Sequence, residues 1–342
     1  LGVSLFFFCP HLWLMRHAMP GSLEWSRALS YLGQCAHPFR RDVEPAMRWR
    51  FLPQLVAHGL GLSPRLALAI PWLGVAALLV ACGRMAGRTA AMTTRAHFEV
   101  LVIVATVSPI LCSTGWLGIN DAWVGLGLVT VAFSPQTGWL FAAVLLAPWV
   151  DERFWFGLPA ALVIRALRSG ERLARPECAA VIAAVLPYLL VRLWPFHGAP
   201  AEPAAIFLKV GTARALAALV FSPIGGWMAL RFALVPLLAG WAYVHRKSGG
   251  KWALVAIGSL AAPLIFLGLF ASDTSRSAGI ALPWVLFGLT LPGGALRQGP
   301  GLSWLVALQL LVPTAQVTAA NVAWISCLPV ELYRLGHALV HY

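Results

Sequence analysis

The sequence predicts an all-α protein, a polytopic transmembrane helical bundle of about eleven spans, with one or two interfacial helices in its external loops. Three observations predict it. Apolar runs recur along the whole chain, separated by short polar clusters. Hydrophobic residues make up 60% of the 342 and charged ones only 11%, with a mean hydropathy of +0.78. That leaves too little polar surface for a water-soluble fold of this size. Sixteen Trp suit the membrane–water interface, where a polar N–H and an apolar ring are both accommodated. Residues 1–342 read as a single integral membrane domain without internal repeats.

The elements follow in order. Val3–Met15 is span one, read as a truncated span because no basic region precedes it. Arg16–Leu62 is a long external loop. Its last part, from Phe51 to Leu60, is amphipathic and reads as an interfacial helix. Arg65–Cys82 is span two and Gly83–Ala96 a basic loop. Phe98–Gly115 is span three. Ala122–Phe133 and Gly138–Val150 are spans four and five. Both are short, since thirteen residues rise about 20 Å against a hydrocarbon core of about 30 Å. Span six is Phe154–Ile164, and Arg165–Glu177 is a second basic loop. Span seven is Cys178–Pro195. Phe196–Gly225 is a second external stretch, with 204–221 interfacial or re-entrant. Span eight is Gly226–Val244, and His245–Lys251 is a third basic loop. Spans nine, ten and eleven are Trp252–Ala271, Ser277–Leu296 and Leu302–Trp324. The tail to Tyr342 is an interfacial helix.

Parity then sorts the polar clusters by face. The basic loops near 84–95, 165–175, 245–251 and 297 fall on one side, which reads as cytoplasmic. The chain has only four aspartates, Asp42, Asp121, Asp151 and Asp273, and all four fall on the other side. Glu44, Glu152, Arg40, Arg41, Arg48, Arg50, Arg153 and Arg276 join them there, whereas Glu99, Glu171 and Glu177 do not.

The densest cluster is His37–Arg50, with four arginines, two carboxylates and a histidine in fourteen residues. Asp42 and Glu44 form a D-x-E pair that can share a divalent cation or supply a general base. Arg40, Arg41, Arg48 and Arg50 suit a phosphate at headgroup level, because guanidinium forks bind phosphate bidentately. Asp121 is a second candidate, or else the N-cap of span four. Asp151-Glu152-Arg153 and Asp273-Thr274-Ser275-Arg276 each bridge two spans. They support the site, or cap: Asp151 for span six, Asp273 or Ser275 for span ten. His58 lies on the amphipathic stretch, in place to transfer protons or simply to pack. Candidate metal ligands are Asp42, Glu44 and Asp121, for Mg or Mn. The six cysteines show no ligand spacing and read as inert thiols. The net charge of +13 does not imply nucleic acid, since the arginines are scattered through short loops rather than gathered on one soluble face.

With its long first external loop carrying an acidic pair and arginines, an aspartate after span three and about eleven spans, the chain resembles the GT-C-type membrane glycosyltransferases, in layout over roughly residues 1–200. The resemblance implies a polyprenyl-phosphate sugar as donor and an active face turned outward from a bacterial cytoplasmic (inner) membrane. It implies base or metal-ligand roles for Asp42, Glu44 and Asp121, and phosphate binding by the arginines nearby. Two other readings stand beside it. A transporter or lipid flippase would run a polar path through mid-membrane, for which Arg231, Gln309, Thr314, Gln316, Thr318 and Asn321 are the candidates. A non-catalytic assembly partner would tolerate loss of any single aspartate.

Overall fold

Proline in the first turn starts many of the helices. Its missing N–H costs nothing there, and its fixed φ is already helical. The computed structural model describes residues 2–9, 23–40, 48–88, 92–193, 212–271, 273–291, 300–318 and 321–341. These are almost entirely helical: α1 Gly2–Phe7, α2 Leu23–Ala36, α3 Leu52–Gly59, α4 Pro64–Ala67, α5 Ile70–Gly87, α6 Thr94–Ala105, α7 Ser108–Gly115, α8 Asp121–Phe133, α9 Thr137–Leu146, α10 Arg153–Arg168, α11 Arg175–Leu193, α12 Thr212–Leu230, α13 Leu234–Phe270, α14 Thr274–Ser277, α15 Leu282–Leu289, α16 Gly301–Leu311 and α17 Leu328–His341. Short 3-10 turns at Ala147–Trp149, Arg231–Ala233 and Ala278–Ala281 join some of them. A small antiparallel hairpin pairs β1 (Ala315–Val317) with β2 (Val322–Trp324), Ala315 opposite Trp324.

The helices run back and forth between two ends. At one end the Trp123 indole N–H donates to the Ile70 carbonyl (3.0 Å), joining the starts of α5 and α8. At the other end Arg88, Phe133, Arg168 and Lys247 line one cavity, which joins the ends of α5, α8 and α10 to the turn inside α13. Residues from three basic loops therefore share one end. α13 turns at Gly249 (φ 82°, ψ 175°), a conformation open in practice only to glycine. Its two arms are separate helices. The first lies on α15, where Gly240 meets Phe287 and Gly288 meets the Pro236 backbone. The second returns to α12, where the Ser222 hydroxyl donates to the Gly268 carbonyl at 2.7 Å.

The span count needs correction. Among the described residues, two stretches are long and apolar enough to cross a membrane, Pro64–Gly87 and Ala217–Phe270. A third counts if α6 and α7, bent by 62° at their junction, form one span. About eleven such spans are not found. Most of the apolar runs form helices too short to cross, such as α8, α9 and α16, and some of these are enclosed as well. Every residue of α7 and α15 and ten of the thirteen in α8 are enclosed by protein. An apolar run marks removal from water, whether into lipid or into a protein core.

Two further expectations change. Span eleven ends early: α16 stops at Leu311, Val312 takes the extended conformation forced on a residue before proline, and the polar remainder forms the hairpin. Span eight is interrupted, because α12 runs on to Leu230 and the chain breaks at Arg231 (φ 47°) before α13. Much of span one and of the external loop, with Arg41, Asp42 and Glu44, lies outside the described residues. All six cysteines are free thiols.

Candidate functional site

The site forms where three helix starts meet at the end opposite the basic cavity. Gly118 (φ 74°) turns the chain ahead of α8, and any side chain there would strike Tyr31. The Ser113 hydroxyl accepts from the Ala122 N–H (2.9 Å), satisfying part of the α8 N-terminus. Asp121 is thereby released from capping and turns both oxygens to arginine. Arg276 from α14 grips it as a fork, Nε to Oδ2 and Nη2 to Oδ1, each at 2.7 Å. Arg153 Nη2, from the start of α10, donates to the same Oδ1 at 2.8 Å.

Asp151 holds the other side. Its Oδ1 accepts from the Arg153 backbone N–H (2.9 Å), so the expected cap on this helix is made. The carboxylate also takes Arg153 Nε (2.9 Å) and Nη2 (2.7 Å). Arg50 then approaches from the far loop, Nη1 to Asp151 Oδ2 at 3.1 Å and Nε to Glu152 Oε2 at 3.0 Å. Asp273 makes no cap with its side chain. Its Oδ2 instead accepts from Arg276 Nη1 (3.3 Å) and Gln316 Nε2 (2.8 Å).

The result is an alternating lattice of three arginines and three aspartates, with Glu152 at its rim. Side-chain exposure falls from 25% at Glu152 and 20% at Arg50 to 4% at Asp151, so the centre is dry and its outer edge is not. Burial works to raise the Asp151 carboxyl, but Arg153 and Arg50 outweigh it and hold the group well below the usual carboxylate range. Among the described residues, Arg153 Nη1, Asp273 Oδ1 and Gln316 Oε1 are buried without a hydrogen-bond partner. The lattice thus fixes three guanidinium groups and keeps some polar valence unused.

Two apolar grooves flank it. One, of about 340 Å³, runs between α3, α8 and α9, and its lining includes Leu52, Trp123, Trp139 and Val150. Leu52 lies two residues from Arg50, and Val150 adjoins Asp151. The other, of about 580 Å³, lies between α12 and the second arm of α13, and its lining includes Trp227, Thr274 and Ser277. Thr274 and Ser277 adjoin Asp273 and Arg276. An aromatic layer covers the rim: Phe51 on Trp149 (ring centroids 5.2 Å apart), Trp149 and Trp155 on Tyr188 (4.8 and 5.1 Å), and Arg192 over Trp49 (4.6 Å).

Of the residues singled out by sequence, the structure brings together Asp121, Asp151, Asp273, Arg50, Arg153 and Arg276. Arg41, Asp42 and Glu44 lie outside the described residues. Arg40 folds back on Gly33 near the end of α2. Arg48, two residues before Arg50, is partly buried. His58 sits apart, its Nδ1 3.1 Å from the Cys35 carbonyl on an exposed face. Among the described residues no group of His, Cys, Asp and Glu is arranged to hold a metal. Sequence reasoning placed Gln316 on a transport path rather than in the lattice, and it missed the aromatic layer. The Trp149 and Trp155 that bracket Asp151–Arg153 were the available signal. Comparisons with protein-family models, curated proteins and solved structures gave no match.

Proposed function

We propose that the chain works in a membrane as a glycosyltransferase of the GT-C type, acting on a lipid-phosphate-linked sugar with Arg50, Arg153 and Arg276 around the phosphate. One observation carries this reading: a fixed arginine centre is flanked by two apolar grooves whose lining residues are sequence neighbours of its own. A lipid phosphate has the matching form, an anionic head on a long apolar tail. The outward apolar side chains of α11 and of the second arm of α13, among them Ile182, Leu190, Leu254 and Ile265, suit contact with lipid. The positive-inside rule puts the arginine centre on the outer face, because the basic loops lie at the other end.

Both Asp121 oxygens are engaged by guanidinium, which suits Asp121 to positioning Arg153 and Arg276 rather than to taking a proton. The base falls to Asp42 or Glu44. In the step, the acceptor hydroxyl oxygen bonds to the anomeric carbon and its proton passes to that carboxylate. The bond from the anomeric carbon to the phosphate oxygen breaks, and the lipid phosphate leaves with the electron pair, stabilised by the arginines. Mg or Mn would need Asp42 and Glu44 as its ligands for the same reason.

The transporter reading draws less support, because several polar residues of the proposed path are engaged within the fold. Gln309 Oε1 accepts from the Ala233 N–H (3.2 Å), and the Thr314 hydroxyl donates to the Met228 carbonyl (3.1 Å). The test is release of polyprenyl phosphate from sugar-labelled donors by the full chain in nanodiscs. Arg276→Lys, which keeps the charge and loses the fork, should cut release at least about tenfold while the fold persists. Scrambling of the intact donor across proteoliposomes without release would put the transporter reading first. Neither activity would leave the assembly-partner reading.

A further inference from the structure

We propose that the cavity at the basic end binds a phosphate group. It holds about 280 Å³ between the ends of α5, α8, α10 and α15 and the turn in α13. A water takes about 30 Å³, so a phosphate and part of its hydration shell fit. The site is independent of the arginine centre and of the transferase reading. It stands at the other end of α8 and α10, about 20 Å away by helical rise.

Its lining includes Arg88, Arg168, Lys247, Ser248 and Thr290 but no Asp or Glu. Among the described residues none of the three cations makes an ion pair, whereas the nearby Arg165 is closed by Glu177 at 2.6 Å. Arg168 is held in place. Its Nη1 donates to the carbonyls of Ala132 (3.2 Å) and Phe133 (3.0 Å), and its guanidinium lies 4.9 Å from the Phe133 ring centre. It also caps the last carbonyls of α8, where the helix dipole is negative. Lys247 rests on Tyr243, 5.6 Å from the ring centre. Burial, then Arg165 and Arg88, push the Arg168 guanidinium below its ordinary value. An anion between the cations would relieve that repulsion, and Ser248 supplies a hydroxyl donor. A phosphate, tetrahedral and able to accept from several donors at once, fits a cavity lined by three exposed cations.

The phosphate belongs either to an anionic lipid head or to a soluble phosphate. Two probes separate the sources. Phosphatidic acid retained by the full chain from phosphatidylcholine nanodiscs is counted by native mass spectrometry. Inorganic phosphate is titrated by its effect on thermal unfolding. Retention of phosphatidic acid without a response to inorganic phosphate marks the lipid, and a thermal shift with inorganic phosphate marks the soluble source. In either case Lys247→Gln and Arg168→Gln should weaken binding about tenfold each, the effect of losing one charge-assisted contact. Lys247→Gln keeps the test valid if loss of Arg168 frays α8. Arg172→Gln, on an exposed loop outside the cavity, should change nothing. An equal loss in Arg172→Gln, or no binding of either probe, overturns the proposal.

Discussion

Replacing Asp121 by Asn is the sharpest perturbation of the arginine centre. The substitution keeps the size and one oxygen of the side chain and removes only its charge. In the native lattice three aspartates and Glu152 face three arginines, and exposure of the Asp121 and Arg276 side chains is 7% and 10%. The Asp121→Asn variant would take away the carboxylate that Arg153 and Arg276 share, leaving these two buried guanidiniums short of one counter-charge in a dry site. Removing one partner of a buried pair costs about 3–5 kcal/mol, mostly because the other charge is left uncompensated. Here compensation persists in part. Arg153 keeps two side-chain bonds to Asp151, and Arg276 keeps Asp273 at 3.3 Å. The lower end, about 3 kcal/mol, is therefore expected. Reversible unfolding of the purified chain in mixed micelles, followed by circular dichroism, measures it. A double-mutant cycle with Arg276→Gln should return a coupling of about 1 kcal/mol or more, as contacting residues do. A variant as stable as the native chain, with additive single effects, would refute the reasoning, because Asp121 would then not be sharing its charge with the arginines.

Three other outcomes follow from the same structure. The Asp151 carboxyl is held below its ordinary 3.8, so its ionisation stabilises the fold above that pH. Stability should be lost as pH falls below about 3.8, and Asp151→Asn should flatten this acid limb in unfolding measured against pH. Gly288→Ala would drive a methyl into the Pro236 carbonyl. The first arm of α13 and α15 must then separate, at about 1–3 kcal/mol in the same unfolding assay. Gln309→Ala leaves the Ala233 N–H without its acceptor and should cost about 1–3 kcal/mol, visible as faster hydrogen exchange around Arg231–Ala233.

What the sequence could and could not show follows from the kind of signal each feature leaves. Hydropathy reads exclusion from water, so α8 and α15 look like spans although they are 13 and 8 residues long and enclosed by neighbours. The number of membrane crossings was therefore beyond its reach. Parity was more robust. It asks only at which end each polar cluster falls, and a bend such as the 62° between α6 and α7 does not disturb that. That is why Asp121, Asp151 and Asp273 meet at one end while Arg88, Arg168 and Lys247 meet at the other. Pairing was not legible. Nothing local tells Arg276 to grip Asp121, 155 positions away, rather than only Asp273 three residues before it. The hairpin that brings Gln316 to Asp273 was hidden inside an apolar run, with Pro313 as its single marker.

The central claim is that a lipid phosphate lies with its head on the arginine centre and its tail in an adjoining groove. Photocrosslinking tests it most directly, with a polyprenyl phosphate bearing a photoreactive group near the head of its tail, followed by mass-spectrometric mapping in nanodiscs. Label should appear in the groove lined by Leu52, Trp123, Trp139 and Val150, and should fall sharply in Arg50→Gln. Label spread over the outward faces of α11 and α13, unchanged by Arg50→Gln, would contradict the account.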